Sequence, residues 1–217
     1  MKAKFWLERW QSNRIGFHQA KHNKLLLEYW SALDLPNSAR VFVPLCGKTL
    51  DMRWLAEQGH EVIGVELAEL AVNAFFADET PQQDTVERFA RYQSGLITIL
   101  QGDYFDLTSS LLGDVDAVFD RGSLVALPPD MRFRYADHLL RIVPEQTQIL
   151  LLTIEYEQTR VAGPPHAVHR EEVDELFGAR CEIELIESFV TEQVPPHFVE
   201  QGLTKAAESV YRLTKND

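Results

Sequence analysis

Apolar positions along this chain fall into two kinds of run. Short ones at residues 40–43, 61–65, 96–100, 117–119 and 149–154 have the length of β-strands. The last reads Ile-Leu-Leu-Leu-Thr-Ile without alternation, the pattern of a strand covered on both faces. Between them lie longer amphipathic stretches that predict helices. Residues 51–58 end at Gly59, a good left-handed stop, and residues 67–77 follow the second strand directly. Residues 129–143 open on a proline, which a first helical turn tolerates, and close at Pro144. Residues 81–93, polar with scattered apolar positions, predict an extra helix before the third strand.

After Tyr156 the pattern changes. A loop containing Gly163, Pro164 and Pro165 leads to a short helix near 171–177, then to two alternating runs at 182–189 and 209–213. Two late strands with no clear helix between them predict an antiparallel pair at a sheet edge. The expected fold is therefore α/β and Rossmann-like: a seven-stranded, mostly parallel sheet with helices on both faces. Residues 1–217 read as one domain, with 1–35, rich in Trp and Phe, as an N-terminal helical cap on a core of 36–217.

The charge and the cysteines narrow the partners. A formal charge of −12 and the absence of any Lys/Arg run argue against nucleic acid, which needs a basic stripe to displace counterions. No stretch approaches the ~18 consecutive apolar residues of a membrane span. Cys46 and Cys181 stand far apart and make no disulfide framework, which suits a reducing, cytoplasmic setting. Nothing demands an interface, so a monomer is expected.

The most informative segment is residues 39–67, which reads strand, tight turn, helix, glycine stop, strand, acid. The acid, Glu66, follows Gly47 by 19 positions and ends the second strand. In a doubly wound sheet a carboxylate there can accept both hydroxyls of an adenosine ribose. Position alone leaves a second reading open, in which Glu66 ends a strand and Gly47 makes a turn. Two rival nucleotide sites fail on particular residues. The turn Val43-Pro44-Leu45-Cys46-Gly47-Lys48 has one glycine where a dinucleotide fingerprint needs three, and a phosphate-binding P-loop would need glycine where Phe42 stands. A ligand with ribose and adenine but no phosphate remains.

Several motifs together resemble the thiopurine S-methyltransferase family, bacterial type, a group of class I S-adenosylmethionine-dependent enzymes. They are Phe5-Trp6 with Arg9-Trp10, Gly16-Phe17-His18-Gln19, the turn at 43–48 followed by Asp51-Met52, Gly64-Val65-Glu66-Leu67, Gly102-Asp103-Tyr104-Phe105, Asp120-Arg121-Gly122-Ser123, and Tyr156 with Gly163-Pro164-Pro165. The matches cover residues 5 to about 215. The resemblance implies a chain that binds S-adenosylmethionine and methylates the sulfur of small aromatic or heterocyclic thiols. It implies donor contacts at Trp10, Leu45, Glu66 and Arg121, with Asp103 and Tyr104 flanking the adenine, and an acceptor pocket touched by Phe17, Arg121 and Pro164. No catalytic residue and no metal site is expected. Arg121 has two open roles, pairing with the donor's carboxylate or stabilising an anionic acceptor; standing alone, it also reads as an ion-pair partner of Asp120 or Asp116. His166 departs from the family, whose members tend to carry an aromatic residue there; it is expected to be a pocket-wall or loop residue rather than half of a metal pair with His169. Three alternatives stand beside this reading: another acceptor, such as a halide, a selenium or tellurium species or a different thiol; a non-catalytic S-adenosylmethionine sensor; and, disfavoured by the single-glycine turn, a nicotinamide-dependent oxidoreductase.

Overall fold

The computed structural model describes residues 3–217. Nine strands form one sheet: β1 (Arg40–Val43), β2 (Glu61–Glu66), β3 (Gln82–Val86), β4 (Phe89–Ser94), β5 (Ile97–Gln101), β6 (Ala117–Arg121), β7 (Gln148–Glu155), β8 (Cys181–Thr191) and β9 (Ala206–Lys215). Their spatial order is β3-β4-β5-β2-β1-β6-β7-β9-β8. The five central strands, β5 to β7, run parallel, while β9 and β8 close one side antiparallel. The order runs outward in both directions from β1, which places a crevice beyond the carboxyl ends of β1, β2 and β6.

The seven-strand expectation is corrected by residues 82–94, which form a hairpin, β3 and β4, rather than a helix. Its physical basis is burial of Phe89 and Tyr92 on opposite faces of the sheet, one in each core, together with Asp84 placed directly opposite Arg91 and joined to it as an ion pair. The loop is only Glu87-Arg88, with Glu87 at φ 53°, a position that usually carries glycine or asparagine. The remaining seven strands match the five early and two late runs read from the sequence.

Successive strand residues feed two separate cores. Phe42, Ile63, Val65, Leu100, Val118 and Leu151 point to one; Val41, Val43, Val62, Ile99, Phe119 and Leu150 point to the other. The first is covered by α5 (Ser109–Leu112), α6 (Pro129–Ile142) and α7 (Arg170–Phe177), the second by α2 (Lys24–Tyr29), α3 (Asp51–Glu57) and α4 (Glu69–Phe75). Gly59 closes α3 at φ 92°, as its sequence position indicates. A short α8 (Pro196–Glu200) sits in the β8–β9 connection, with Phe198 buried in the first core. At the N-terminus, α1 (Ala3–Gln11) buries no residue and lies at the mouth of the crevice.

Candidate active site

The turn after β1 is fastened from two directions. The Cys46 amide donates to the Val65 carbonyl at 3.0 Å, and the Ser123 hydroxyl donates to the Pro44 carbonyl at 2.7 Å. Leu45 and Gly47 both take left-handed backbone, at φ 45° and 55°. At Gly47 a Cβ would make only an ordinary contact, 3.4 Å from the Trp10 ring, so it is the left-handed backbone that favours glycine there. The turn therefore presents bare backbone to an aromatic face.

Glu66 ends β2 beside this turn and is buried. One carboxylate oxygen accepts the Gly47 amide at 2.8 Å and the other accepts the Ala68 amide at 2.6 Å. Burial raises the acid's pKa above the ordinary 4.5, while the Ala68 and Gly47 amides pull it back down. Each oxygen retains lone-pair capacity beyond its amide.

The crevice is a cavity of ≈ 980 Å³, and all eight residues singled out in the sequence lie on its walls: Trp10, Phe17, Leu45, Glu66, Asp103, Tyr104, Arg121 and Pro164. Their states differ. Phe17 meets the Trp6 and Trp10 rings edge-on at 5.5 and 5.6 Å, so the cap forms an aromatic cluster over the opening. Asp103 caps the helical turn at 104–106 by accepting the Phe105 amide at 2.9 Å. Tyr104 is buried; it donates to the Tyr135 carbonyl at 3.2 Å and stacks on the Tyr135 ring at 5.0 Å, so its hydroxyl faces the core. Arg121 pairs with neither acid weighed for it. Asp120 accepts from the Tyr135 hydroxyl at 2.7 Å and the Leu124 amide at 3.1 Å, and Asp116 accepts from the Arg40 amide at 2.7 Å. Burial lowers the pKa of Arg121, opposed by the charges of Asp51 and Glu208.

Other cavity residues had no assigned role in the sequence. Asp51 accepts the Asn23 amide at 2.7 Å and the Thr49 hydroxyl at 2.9 Å, tying the cap to the start of α3. His18 is held below its ordinary pKa by burial and by the nearby Lys48 and Arg121 cations. Glu208 arrives from β9, and Val194, Pro195 and His197 from the β8–β9 connection, on chain more than 140 residues beyond the donor turn. Arg134 lies over the Phe105 ring, 3.8 Å from its centroid. Asp51, His18 and Lys48 lay inside recognised motifs; nothing in the local sequence marks the others. His166 lies in the loop but off the cavity wall. Its amide donates to the Val125 carbonyl, and its Nε2 is buried without a partner. His169 instead meets Glu155 at 3.3 Å.

Without the edge hairpin, the sheet order and the acid-ended second strand beside a glycine turn define the class I methyltransferase fold. Solved structures agree. The 1,6-didemethyltoxoflavin N1-methyltransferase from Burkholderia thailandensis, solved with that compound and S-adenosylhomocysteine bound, is similar at a TM-score of 0.66 and 16% identity, over 99% of this chain and 87% of that one. The family model described as Thiopurine S-methyltransferase matches residues 1–216. Relatives named thiopurine S-methyltransferase include one from Nitrosospira multiformis, 46% identical over 98% of both chains, and one from Bordetella petrii, 47% identical over 99% of both. The chain belongs to the thiopurine S-methyltransferase family.

Proposed function

We propose that this chain transfers the methyl group of S-adenosylmethionine to the sulfur of an aromatic or heterocyclic thiol, thiopurines among them. Glu66 carries the reading: a buried carboxylate, fixed by two backbone amides, with lone pairs left over beside a bare backbone turn. That donor set suits the two ribose hydroxyls of S-adenosylmethionine. Leu45 and Trp10 supply apolar and aromatic walls for the methionine portion and the sulfonium, with a cation–π contribution of roughly 0.5–2 kcal/mol at Trp10. Asp103 and Tyr104 flank the adenine, while Phe17, Pro164 and Arg121 face the acceptor. A cavity of ≈ 980 Å³ lies near the upper end of small-molecule pockets, which run to about 1,000 Å³. It has room for donor and acceptor together.

The donor brings an activated methyl on a sulfonium, so the protein's part is to hold two reactants in line and exclude water. Alignment of this kind can supply ~7–11 kcal/mol of the barrier. Arg121, half-buried and without an ion pair among the described residues, favours an anionic sulfur in its neighbourhood. Two buried, unpaired cysteines and the acidic composition are consistent with a monomeric cytoplasmic enzyme acting on a small molecule rather than on nucleic acid or a membrane.

Calorimetry with S-adenosylmethionine, followed by mass detection of S-methylated 6-mercaptopurine, tests the proposal. Two charged hydrogen bonds to the ribose are worth ~3 kcal/mol together, so Glu66→Ala should weaken donor binding on the order of 10²-fold. Unchanged donor affinity in that variant overturns the Glu66 assignment. Donor binding without S-methyl product moves the function to another acceptor or to a sensor.

A further inference from the structure

Four carboxylates line the cavity among the described residues: Asp51, Glu66, Asp103 and Glu208. Three are committed. Asp51 holds the Asn23 amide and the Thr49 hydroxyl, Glu66 the Gly47 and Ala68 amides, and Asp103 the Phe105 amide. The Glu208 side chain, half-buried on β9, has no hydrogen bond and no ion pair within 4 Å among the described residues. Burial lifts its pKa, and the charges of Lys24 and Arg121 oppose that rise. Acids on the neighbouring elements are already engaged: Glu155 of β7 with the Ser209 hydroxyl and His169, and Glu187 of β8 with the Tyr29 hydroxyl. An uncommitted carboxylate thus faces the same space as Arg121.

We propose that Glu208 accepts the proton that the acceptor loses during methyl transfer; this rests on the methyltransferase reading above. An acceptor that still carries its proton must give that proton to some base. A bond forms between the acceptor's sulfur and the methyl carbon, and the sulfonium carbon–sulfur bond breaks, leaving its electron pair on the donor sulfur. The acceptor's proton, on sulfur in the thiol or on ring nitrogen in the thione tautomer, passes to a Glu208 oxygen and later to water. A carboxylate beside a sulfonium becomes a neutral acid beside a neutral thioether, so no net charge is created in the cavity. His18, the rival, is surrounded differently: Asp51 favours its charge, but burial and the Lys48 and Arg121 cations outweigh that acid. Protonating it would add a cation next to Lys48, Arg121 and the donor's own charge, whereas protonating Glu208 removes an anion.

The test compares two acceptors at neutral pH: 6-mercaptopurine, which carries its proton, and 4-nitrothiophenol, which is already a thiolate. Glu208→Gln should lower kcat/KM for 6-mercaptopurine on the order of 10²-fold, within the usual range for a general base, and leave 4-nitrothiophenol within about threefold. The binding of 6-mercaptopurine in the presence of S-adenosylhomocysteine, read by calorimetry, should weaken about tenfold, while donor affinity stays unchanged and reports an intact fold. Equal losses on both acceptors, or on neither, overturn the proposal. So does an acceptor-selective loss in His18→Gln that is absent from Glu208→Gln. Wild-type protein that binds donor but methylates neither thiol sinks the methyl-transfer reading itself, an outcome separate from failure at Glu208.

Discussion

Replacing Gly64 with alanine probes how tightly the donor turn is built onto the sheet. Gly64 sits within β2, opposite Val43 of β1 on one side and Ile99 of β5 on the other, so its backbone has no freedom to retreat. A Cβ would lie 2.7 Å from the Cys46 sulfur and 2.8 Å from the Met52 methyl. Comfortable contacts of this kind are ~3.5–4.0 Å, so each neighbour must withdraw by about 1 Å. The Met52 methyl is the far end of a flexible side chain. The Cys46 sulfur is only two bonds from a backbone that carries Leu45 and Gly47. Overpacking of this kind costs ~1–3 kcal/mol, and at ~2–4 °C per kcal/mol for a chain of this size the midpoint should fall by roughly 2–12 °C. Donor affinity should weaken with it, since the strain is discharged into the donor turn. The assay is a double-mutant cycle of Gly64→Ala with Cys46→Ala by thermal melting and donor calorimetry. Removing the sulfur should return at least ~1 kcal/mol of the stability loss and restore donor binding. Additivity within ~0.5 kcal/mol, or a Gly64→Ala protein as stable as the parent, would refute this account of the turn.

Three further outcomes follow from the site and its supports. Trp10→Ala should cut donor affinity several-fold while the melting temperature moves little, because α1 buries no residue; a large melting shift in that variant would make Trp10 a core residue instead. Arg132 is buried, donates to the Leu127 carbonyl at 2.9 Å and to Glu172 at 2.7 and 2.6 Å. Glu172→Ala strands that cation and, discounted for the partial exposure of Glu172, should cost ~1–3 kcal/mol in a chemical denaturation series, against about zero for its exposed neighbour in Glu171→Ala. Donor affinity should be constant at neutral pH and fall on acidification through the raised pKa of Glu66, starting above 4.5, because only the ionised carboxylate accepts both hydroxyls. Ligand-free stability has the opposite sign in that window. The folded state binds the Glu66 proton more tightly than the unfolded chain, so this group favours folding as pH drops from its raised value toward 4.5. Calorimetry from pH 7 downward checks the first trend, and a flat profile in the wild type would contradict the ribose role.

Much of the fold was legible because burial on both faces leaves unmistakable runs, as in 149–154, and because Gly59 and Pro144 punctuate helices in the way their backbone chemistry requires. The hairpin at 82–94 was not legible: its turn, Glu87-Arg88, lacks glycine and asparagine, and its polar strand β3 lies at the sheet edge with only one neighbour. The donor half of the cavity was readable for a related reason. Turn, stop and acid fall within 28 residues, so local spacing carries the geometry. The opposite wall was not, since Val194, His197 and Glu208 reach it through sheet topology, and no local pattern reveals which strand will lie beside which. His166 shows the same limit, having been expected in the loop or on the pocket wall and found in the loop alone.

β9 lies between β7 and β8, although β8 precedes it in the chain. During synthesis, β7 therefore emerges with an apolar edge whose neighbour is still more than fifty residues away, and β8 emerges before its own native partner. Direct pairing of β7 with β8 is the obvious wrong register, and escape from it requires the later strand to intercalate, a non-local step of the kind that slows folding. The same intercalation delivers Glu208 to the cavity. A nascent chain can hold the donor turn at 43–48 in place while that wall is still missing, so closing the sheet and completing the chemistry are one kinetic event.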